Sequence, residues 1–239
     1  MKAPFFGTRI VKDIPLDEVE ALLDKEALFA SRWQFRRGIS ADEWEGLKAE
    51  KAIPIYERQM ALVRAQSAIA PAIAYGYFEC RRIGNGLLVK GERREFRFDF
   101  PRERQTPNRC IADLFGRGFA AFQLVTAGGR ASEISARQFS EKRYSDSFYL
   151  RGLAAQFAEA TAEFCQRMIR AELGAGDVVG FRFSPGYPAF PDLMDQRKIY
   201  ELLGADRIGV RITETCQLIP EHSTSAIVSV DEEAAPFRP

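Results

Sequence analysis

The strongest constraint on this chain is the order in which its hydrophobic periodicities occur. Helical spacing comes first, strand-like patterns next, helical spacing again, and short strands last. The pattern does not alternate as repeated β-α-β-α units would, so an α+β fold is predicted: a mainly antiparallel twisted sheet flanked by long helices. Leu16, Val19, Leu22, Leu23 and Leu28 predict a helix over Leu16–Phe29, with Pro15 just before it. Ser40 with Glu43 three residues on is a helix start, opening a helix to about Ile69 that Pro54 should kink or divide. Strands are predicted over Ile73–Phe78 and Leu87–Val89 around a Gly84-Asn85-Gly86 turn. In Glu95–Phe100 the residues Phe96, Phe98 and Phe100 face one way and Arg97 and Asp99 the other. Phe119–Thr126 is nearly unbroken in its apolar character, as a central strand covered on both faces requires. Helices follow over Ala131–Lys142 and Ser147–Leu173, the second closed by Gly174. After a loop from Gly180 to Pro191 come a helix over Asp195–Leu203 and strands near Ile208–Ile212 and Ser225–Val230. Neither repeats nor a Pro/Gly/Ser linker divide the chain, so one domain over residues 1–239 is expected, with 231–239 a frayed tail.

Composition narrows the function classes. The 34 Lys and Arg nearly cancel the 33 Asp and Glu, and the basic clusters (Arg36-Arg37, Arg81-Arg82, Arg93-Arg94, Arg102–Arg104) are interrupted, so no nucleic-acid partner is expected. No apolar run approaches the roughly 20 residues a membrane span needs, and Met1-Lys-Ala-Pro4 does not open a signal peptide. A cytoplasmic protein is the expectation. The four cysteines (Cys80, Cys110, Cys165, Cys216) form no C-x-x-C pair, and His222 is the single histidine. A His/Cys metal site is thereby excluded, and a Ser-His-Asp triad could be built around one residue alone. Any chemistry is expected to belong to a bound cofactor rather than to hydrolytic side chains.

The loop Gly180–Asp192 is the most informative segment, with three prolines and two glycines in thirteen residues beside Arg182 and Tyr187. Proline stiffens a loop, and glycine lets backbone approach a ligand. Arg182 can grip a carboxylate with two parallel bonds, and Tyr187 can offer a ring face to a cation or a base. A positively charged nucleotide bearing an amino acid, such as S-adenosylmethionine, has matching features. A purely structural loop whose arginine sits in a salt bridge satisfies the same residues.

A resemblance bears on that choice. Phe181–Val230, with Arg182, Gly186-Tyr-Pro-Ala-Phe-Pro-Asp192, Glu201-Leu-Leu203, Thr213-Glu214 and Pro220-Glu-His-Ser223, resembles the activation domain of cobalamin-dependent methionine synthases. Gly7–Gly38, Tyr75-Gly-Tyr-Phe78, Phe98-Asp-Phe-Pro-Arg102, Cys110-Ile-Ala-Asp113, Phe122–Gly129 and Leu150–Phe164 extend the likeness, in order, over about residues 5 to 230. It implies binding of S-adenosylmethionine, docking on a cobalamin-binding methionine synthase subunit, and an electron from a flavodoxin- or ferredoxin-like donor. One-electron reduction of inactive cob(II)alamin would be drawn forward by methyl transfer, which asks the protein mainly for proximity and orientation.

Residue by residue, the resemblance puts Arg182 on the methionine carboxylate and Phe183, Ser184 and Gly186 where backbone meets the ligand. Tyr187 falls beside the sulfonium and the cobalt, as the catalytic position. Glu159 falls on an acid near the site, Asp113 on the family's Ala-Asp pair, and one acid of Asp24-Lys25-Glu26 on a ligand contact. The chain departs from the family at Phe190, where cysteine is usual, at Gln166, where histidine is usual, and in the short Gly174–Val179 linker. Ser229–Pro239 also stands where the family has a closing Tyr-Phe or Tyr-Tyr pair. Two functions follow: a free-standing reactivation component of a split methionine synthase, or a docking module that caps cobalamin without binding the methyl donor. His222 is expected at the surface or in a cap, and Phe29, Trp33, Phe35 and Trp44 in the core between helices and sheet.

Overall fold

The computed structural model describes residues 2–36, 38, 40–104, 108–176 and 180–230. Its first element is a strand that the periodicity does not announce, β1 (Gly7–Val11), too short and too half-buried to leave a pattern. The helix expected over Leu16–Phe29 is broken. α1 (Leu16–Glu20) stops early, and Asp24 accepts a 2.8 Å hydrogen bond from Ala27 N to start α2 (Lys25–Ala27), which runs on into a π-helical turn, Leu28–Arg32. A carboxylate serves better as a cap than inside a helix, and that preference divides the segment.

The Ser40–Glu43 pair does form a reciprocal capping box, opening α3 (Ala41–Leu47). A π-helical turn, Lys48–Ala52, leads without a break into α4 (Ile53–Gln66), so Pro54 neither ends nor divides the helical run; the widened turn before it makes room for a residue without an N–H. α4 ends at Gln66, short of Ile69, with Ser67 in the left-handed region. The sheet strands β2 (Ala72–Ile83), β3 (Gly86–Lys90) and β4 (Glu95–Asp99) form a meander, followed by a 3₁₀ turn, Ile111–Phe115, and β5 (Phe119–Thr126). Two helices pack together next, α5 (Arg130–Ser140) and the 29-residue α6 (Tyr144–Glu172).

The predicted Gly180–Pro191 loop is a strand at its start, β6 (Phe181–Phe183). α7 (Asp195–Leu203) stands as expected. The strand expected at Ile208–Ile212 is instead a 3₁₀ turn, Ala205–Ile208, and a two-residue strand, β7 (Arg211–Ile212), paired with β8 (Leu218–Ile219). β9 (Ser223–Ser229) closes the described fold, and the tail 231–239 lies outside the described residues.

All pairings are antiparallel, in the order β4-β3-β2-β5-β9-β6, with β1 also on β2. β2 is long enough to pair with β1 at Ile73–Tyr77 and with β3 at Cys80–Ile83 along one edge, and with β5 along the other. A Cβ on Gly76 would stand 2.0 Å from the Gly7 carbonyl oxygen, so glycine is what lets β1 lie there. β5 is central, and its apolar run is buried from Ala120 to Thr126, as predicted.

The pleat divides these strands between two cores. Ile73, Tyr75, Tyr77 and Val125 pack under α1–α6 with Phe29, Trp33, Trp44, Leu153 and Phe157. Phe78, Phe122, Leu124 and Ile227 pack on the opposite face with Phe98, Phe190, Ile199 and Leu203. The fold is thus an α+β domain with a helical layer on one face of the sheet and, on the other, α7 and the turn that follows β6. Among the described residues no helix is long and apolar enough to cross a membrane, and no cluster of potential metal ligands occurs.

Candidate functional site

The site is built where β6 leaves the sheet. Register sets Arg182 opposite Val228, on the face that packs against α6. One turn apart on α6, Glu159 and Glu163 meet it: Nη1 lies 3.5 Å from Glu163 Oε2, and Nη2 lies 3.9 Å from Glu159 Oε2. Glu163 is shared with Arg167 at 3.0 Å, and Glu159 with Arg32 at 3.9 Å. These separations are long for charge-assisted bonds, so Arg182 is steered by the acids without being saturated by them.

Beyond β6 the ladder with β9 stops and the chain folds into a tight turn. Gly186, at φ +91°, donates its N–H to Phe190 O at 2.8 Å, and Phe190 N–H donates to Tyr187 O at 2.8 Å. Phe190 is fully buried, its ring 5.0 Å from Phe100 and 6.1 Å from Phe98, edge-on to both. Phe190 therefore pins the turn into the second core and holds Tyr187 outward, 65% exposed. Asp192 Oδ1 then accepts the Met194 N–H at 2.9 Å on the way into α7.

Arg182 and Tyr187 line one cleft of about 270 Å³, together with Gln123, Glu159, Phe183 and Ser184. A second cleft of about 660 Å³ is lined by Asp24, Arg32, Gln156 and Glu163, and it shares Glu159 and Arg182 with the first. The pair Arg182–Glu159 is thus the junction of two depressions of mixed polar and apolar lining, the second the more polar. A zwitterionic amino-acid group fits that junction, its carboxylate on the guanidinium and its ammonium on the acid.

Of the residues singled out in the sequence, Arg182, Phe183, Ser184, Tyr187 and Glu159 come together here. Gly186 shapes the turn without lining the cleft. Asp113 stands elsewhere, at the 3₁₀ turn, and lines neither cleft. Its carboxylate accepts from Cys110 N at 2.9 Å and from Arg102 at 3.0 and 3.2 Å, and pairs with Arg82 at 2.7 Å. Burial pushes that carboxyl up, but the Arg102 and Cys110 donors and the Arg82 charge hold it below the usual range. In the Asp24–Glu26 triplet it is Asp24 that faces the second cleft. Glu26 is occupied by Trp44 Nε1 at 2.7 Å and by Arg36 and Lys48 at 3.4 Å each.

His222 is neither at the surface nor in a cap: it is 4% exposed, and its burial holds the imidazole below its ordinary pKa. Ser223 Oγ donates to Thr126 Oγ1 and Ser225 Oγ to Gln196 Oε1, so neither serine is set up as a His-activated nucleophile. Burial likewise pushes the Cys110 and Cys165 thiols up, and that of Cys80 to about 11. The sequence reading missed Gln123, Glu163 and Arg32. Gln123 had a visible signal, a lone amide inside an apolar strand. Glu163 and Arg32 gain meaning from packing alone.

Comparison with known proteins agrees with this architecture. The family described as “Vitamin B12 dependent methionine synthase, activation domain” matches residues 15–238. The chain is 34% identical to the methionine synthase of Mycobacterium tuberculosis (strain ATCC 25618 / H37Rv), over 98% of this chain and 23% of that protein. It is also 34% identical to the methionine synthase of Mycobacterium leprae (strain TN), over 94% of this chain and 22% of the relative. It therefore spans under a quarter of the length of these relatives. The crystal structure of the MetH reactivation domain bound to AdoHcy superposes with a TM-score of 0.84 at 20% identity, covering 98% of this chain and 82% of that one. The fold is shared over nearly all of this chain, and the chain belongs to the family of vitamin B12-dependent methionine synthase activation domains.

Proposed function

We propose that this chain binds S-adenosylmethionine across the Arg182–Glu159 junction and presents its methyl group, beside Tyr187, to a cobalamin held by a partner protein. The observation that carries the reading is the convergence of Arg182, Glu159 and Tyr187 on one cleft, with the guanidinium only loosely held by acids. The solved reactivation domain of the same fold was crystallised with AdoHcy, the demethylated form of that donor.

The roles follow from chemistry. Arg182 grips the amino-acid carboxylate, and Glu159 takes the ammonium, with Asp24 nearby on the second cleft. The backbone of Phe183 and Ser184 lies along the ligand. Tyr187 stands at the open rim, its ring suited to a sulfonium. S-Adenosylmethionine supplies an electrophilic methyl group whose C–S bonding pair stays with sulfur. The chain's own contribution is binding and orientation. Cobalamin held by the partner methionine synthase subunit would supply the methyl acceptor, and a flavodoxin- or ferredoxin-like donor the one electron that the transfer requires. On this reading the chain is the methyltransferase accessory of a split, cytoplasmic methionine synthase, and acts only with its cobalamin-binding partner.

Isothermal titration of the intact chain with S-adenosylmethionine, alone and with the cobalamin-binding subunit, tests this. Saturable binding that Arg182→Ala removes is the expected result. Silence in both settings would overturn it and leave the docking-module reading.

A further inference from the structure

Gln123 sits in the middle of β5, fully buried, between Tyr75 of β2 and Ala226 of β9. Its Nε2 donates to the Ala162 carbonyl oxygen of α6 at 3.3 Å. A backbone carbonyl can only accept, so the amide nitrogen must take the helix side, and Oε1 is turned the other way. Oε1 has no hydrogen-bond partner, although it is buried. Several buried polar atoms of the described residues are orphaned in this sense, and Gln123 Oε1 is the one whose residue lines the Arg182–Tyr187 cleft. An unmatched buried acceptor destabilises a fold, whereas an apolar side chain of the same length would fill the space without that cost. The amide is placed as though its match comes from outside the chain.

We infer that Gln123 is a specificity-determining residue of the cleft, its Oε1 accepting an N–H or O–H from the nucleoside half of a ligand anchored at Arg182. The inference rests on the function proposed above and deepens it. Two observations choose the nucleoside half. Arg182 and Glu159 border both clefts and hold the amino-acid end at the junction, whereas Gln123 borders the first cleft alone. Away from that junction the cleft is walled by Phe183, Phe190, Ala189 and Ala226, apolar side chains that suit a flat base. Oε1 is an acceptor without a proton of its own, so it favours an amine or hydroxyl and repels a carbonyl at the same place. The exocyclic amine of adenine and the ribose hydroxyls are the donors available on such a ligand.

The test is isothermal titration of the intact wild-type chain and of Gln123→Met with three ligands. These are S-adenosylhomocysteine, its inosine counterpart (amine replaced by carbonyl), and an analogue lacking the ribose hydroxyls. Thermal unfolding of both ligand-free proteins runs alongside. Gln123→Met is expected to bind the parent ligand roughly tenfold more weakly. That penalty should vanish for whichever analogue lacks the donor Oε1 takes, which separates base from sugar. Ligand-free Gln123→Met should melt no lower than wild type, the opposite of what a structural glutamine would give. If Gln123→Met does not fold, wild-type discrimination among the three ligands decides. Equal wild-type binding of all three, or an unweakened Gln123→Met, overturns the inference and leaves the proposed function standing. Failure of the wild type to bind the parent ligand, both alone and with the cobalamin-binding subunit, ends both.

Discussion

Two of the arginine–carboxylate clusters among the described residues, those at Asp113 and Arg182, contain residues that the sequence singled out. Around Asp113, two arginines and a backbone N–H converge at 2.7 to 3.2 Å and use up the acceptor sites of one carboxylate. Around Arg182, two acids approach no closer than 3.5 Å, beside an open cleft. The first cluster ties the 3₁₀ turn to β2 and to the segment after β4, and its bonding is complete. The second keeps donors in reserve. Residue types alone do not distinguish a structural ion pair from a ligand grip, and the degree of saturation does.

That contrast can be broken by experiment. The largest effect belongs to the residue that pins the turn bearing Tyr187. Phe190→Ala should cost about 3–5 kcal/mol in a denaturant titration, because a fully buried ring is lost between Phe98 and Phe100. Arg182→Ala should weaken S-adenosylhomocysteine by about 10- to 100-fold in calorimetry while leaving the melting temperature nearly unchanged. Asp113→Ala should do the reverse, lowering stability by roughly 1–3 kcal/mol with ligand affinity intact. A ligand affinity that follows Asp113 would erase the distinction.

The same carboxylate should be legible in the pH profile. Its folded pKa is depressed, so its contribution is present above the unfolded aspartate value of about 3.9 and is lost as pH falls through the lower folded value. Acid unfolding followed by circular dichroism should be less steep below about pH 4 in Asp113→Asn than in wild type. The smallest effect sharpens the comparison from the other side. Glu163→Gln removes a competitor for the guanidinium and should tighten S-adenosylhomocysteine by roughly two- to fivefold in calorimetry, the scale of a partly exposed ion pair.

Much of the architecture was legible because local and tertiary forces agree there. The apolar run of β5, the alternation of β4, the Ser40 capping box and the length of α6 each follow from patterns within one element. β1 was not legible, since a five-residue half-buried strand takes its place from Gly76 on its neighbour rather than from its own sequence. The break at Asp24 was overlooked because five apolar residues keep helical spacing across it while the cap acts locally. At the site, Arg182 and Tyr187 stand out in a proline-braced segment, and family resemblance adds Glu159.

By itself the sequence determined the class of fold through short-range pattern, and the family through motifs kept in order along the chain, and it singled out the loop that lines the candidate cleft. Only the tertiary structure decided that Asp113 is saturated, that Asp24 rather than Glu26 faces a cleft, that His222 is buried, and that Gln123 carries an unmatched acceptor. The physical reason is common to the four. Whether a polar group is available depends on which partners reach it, and those partners arrive from elements far away in the chain.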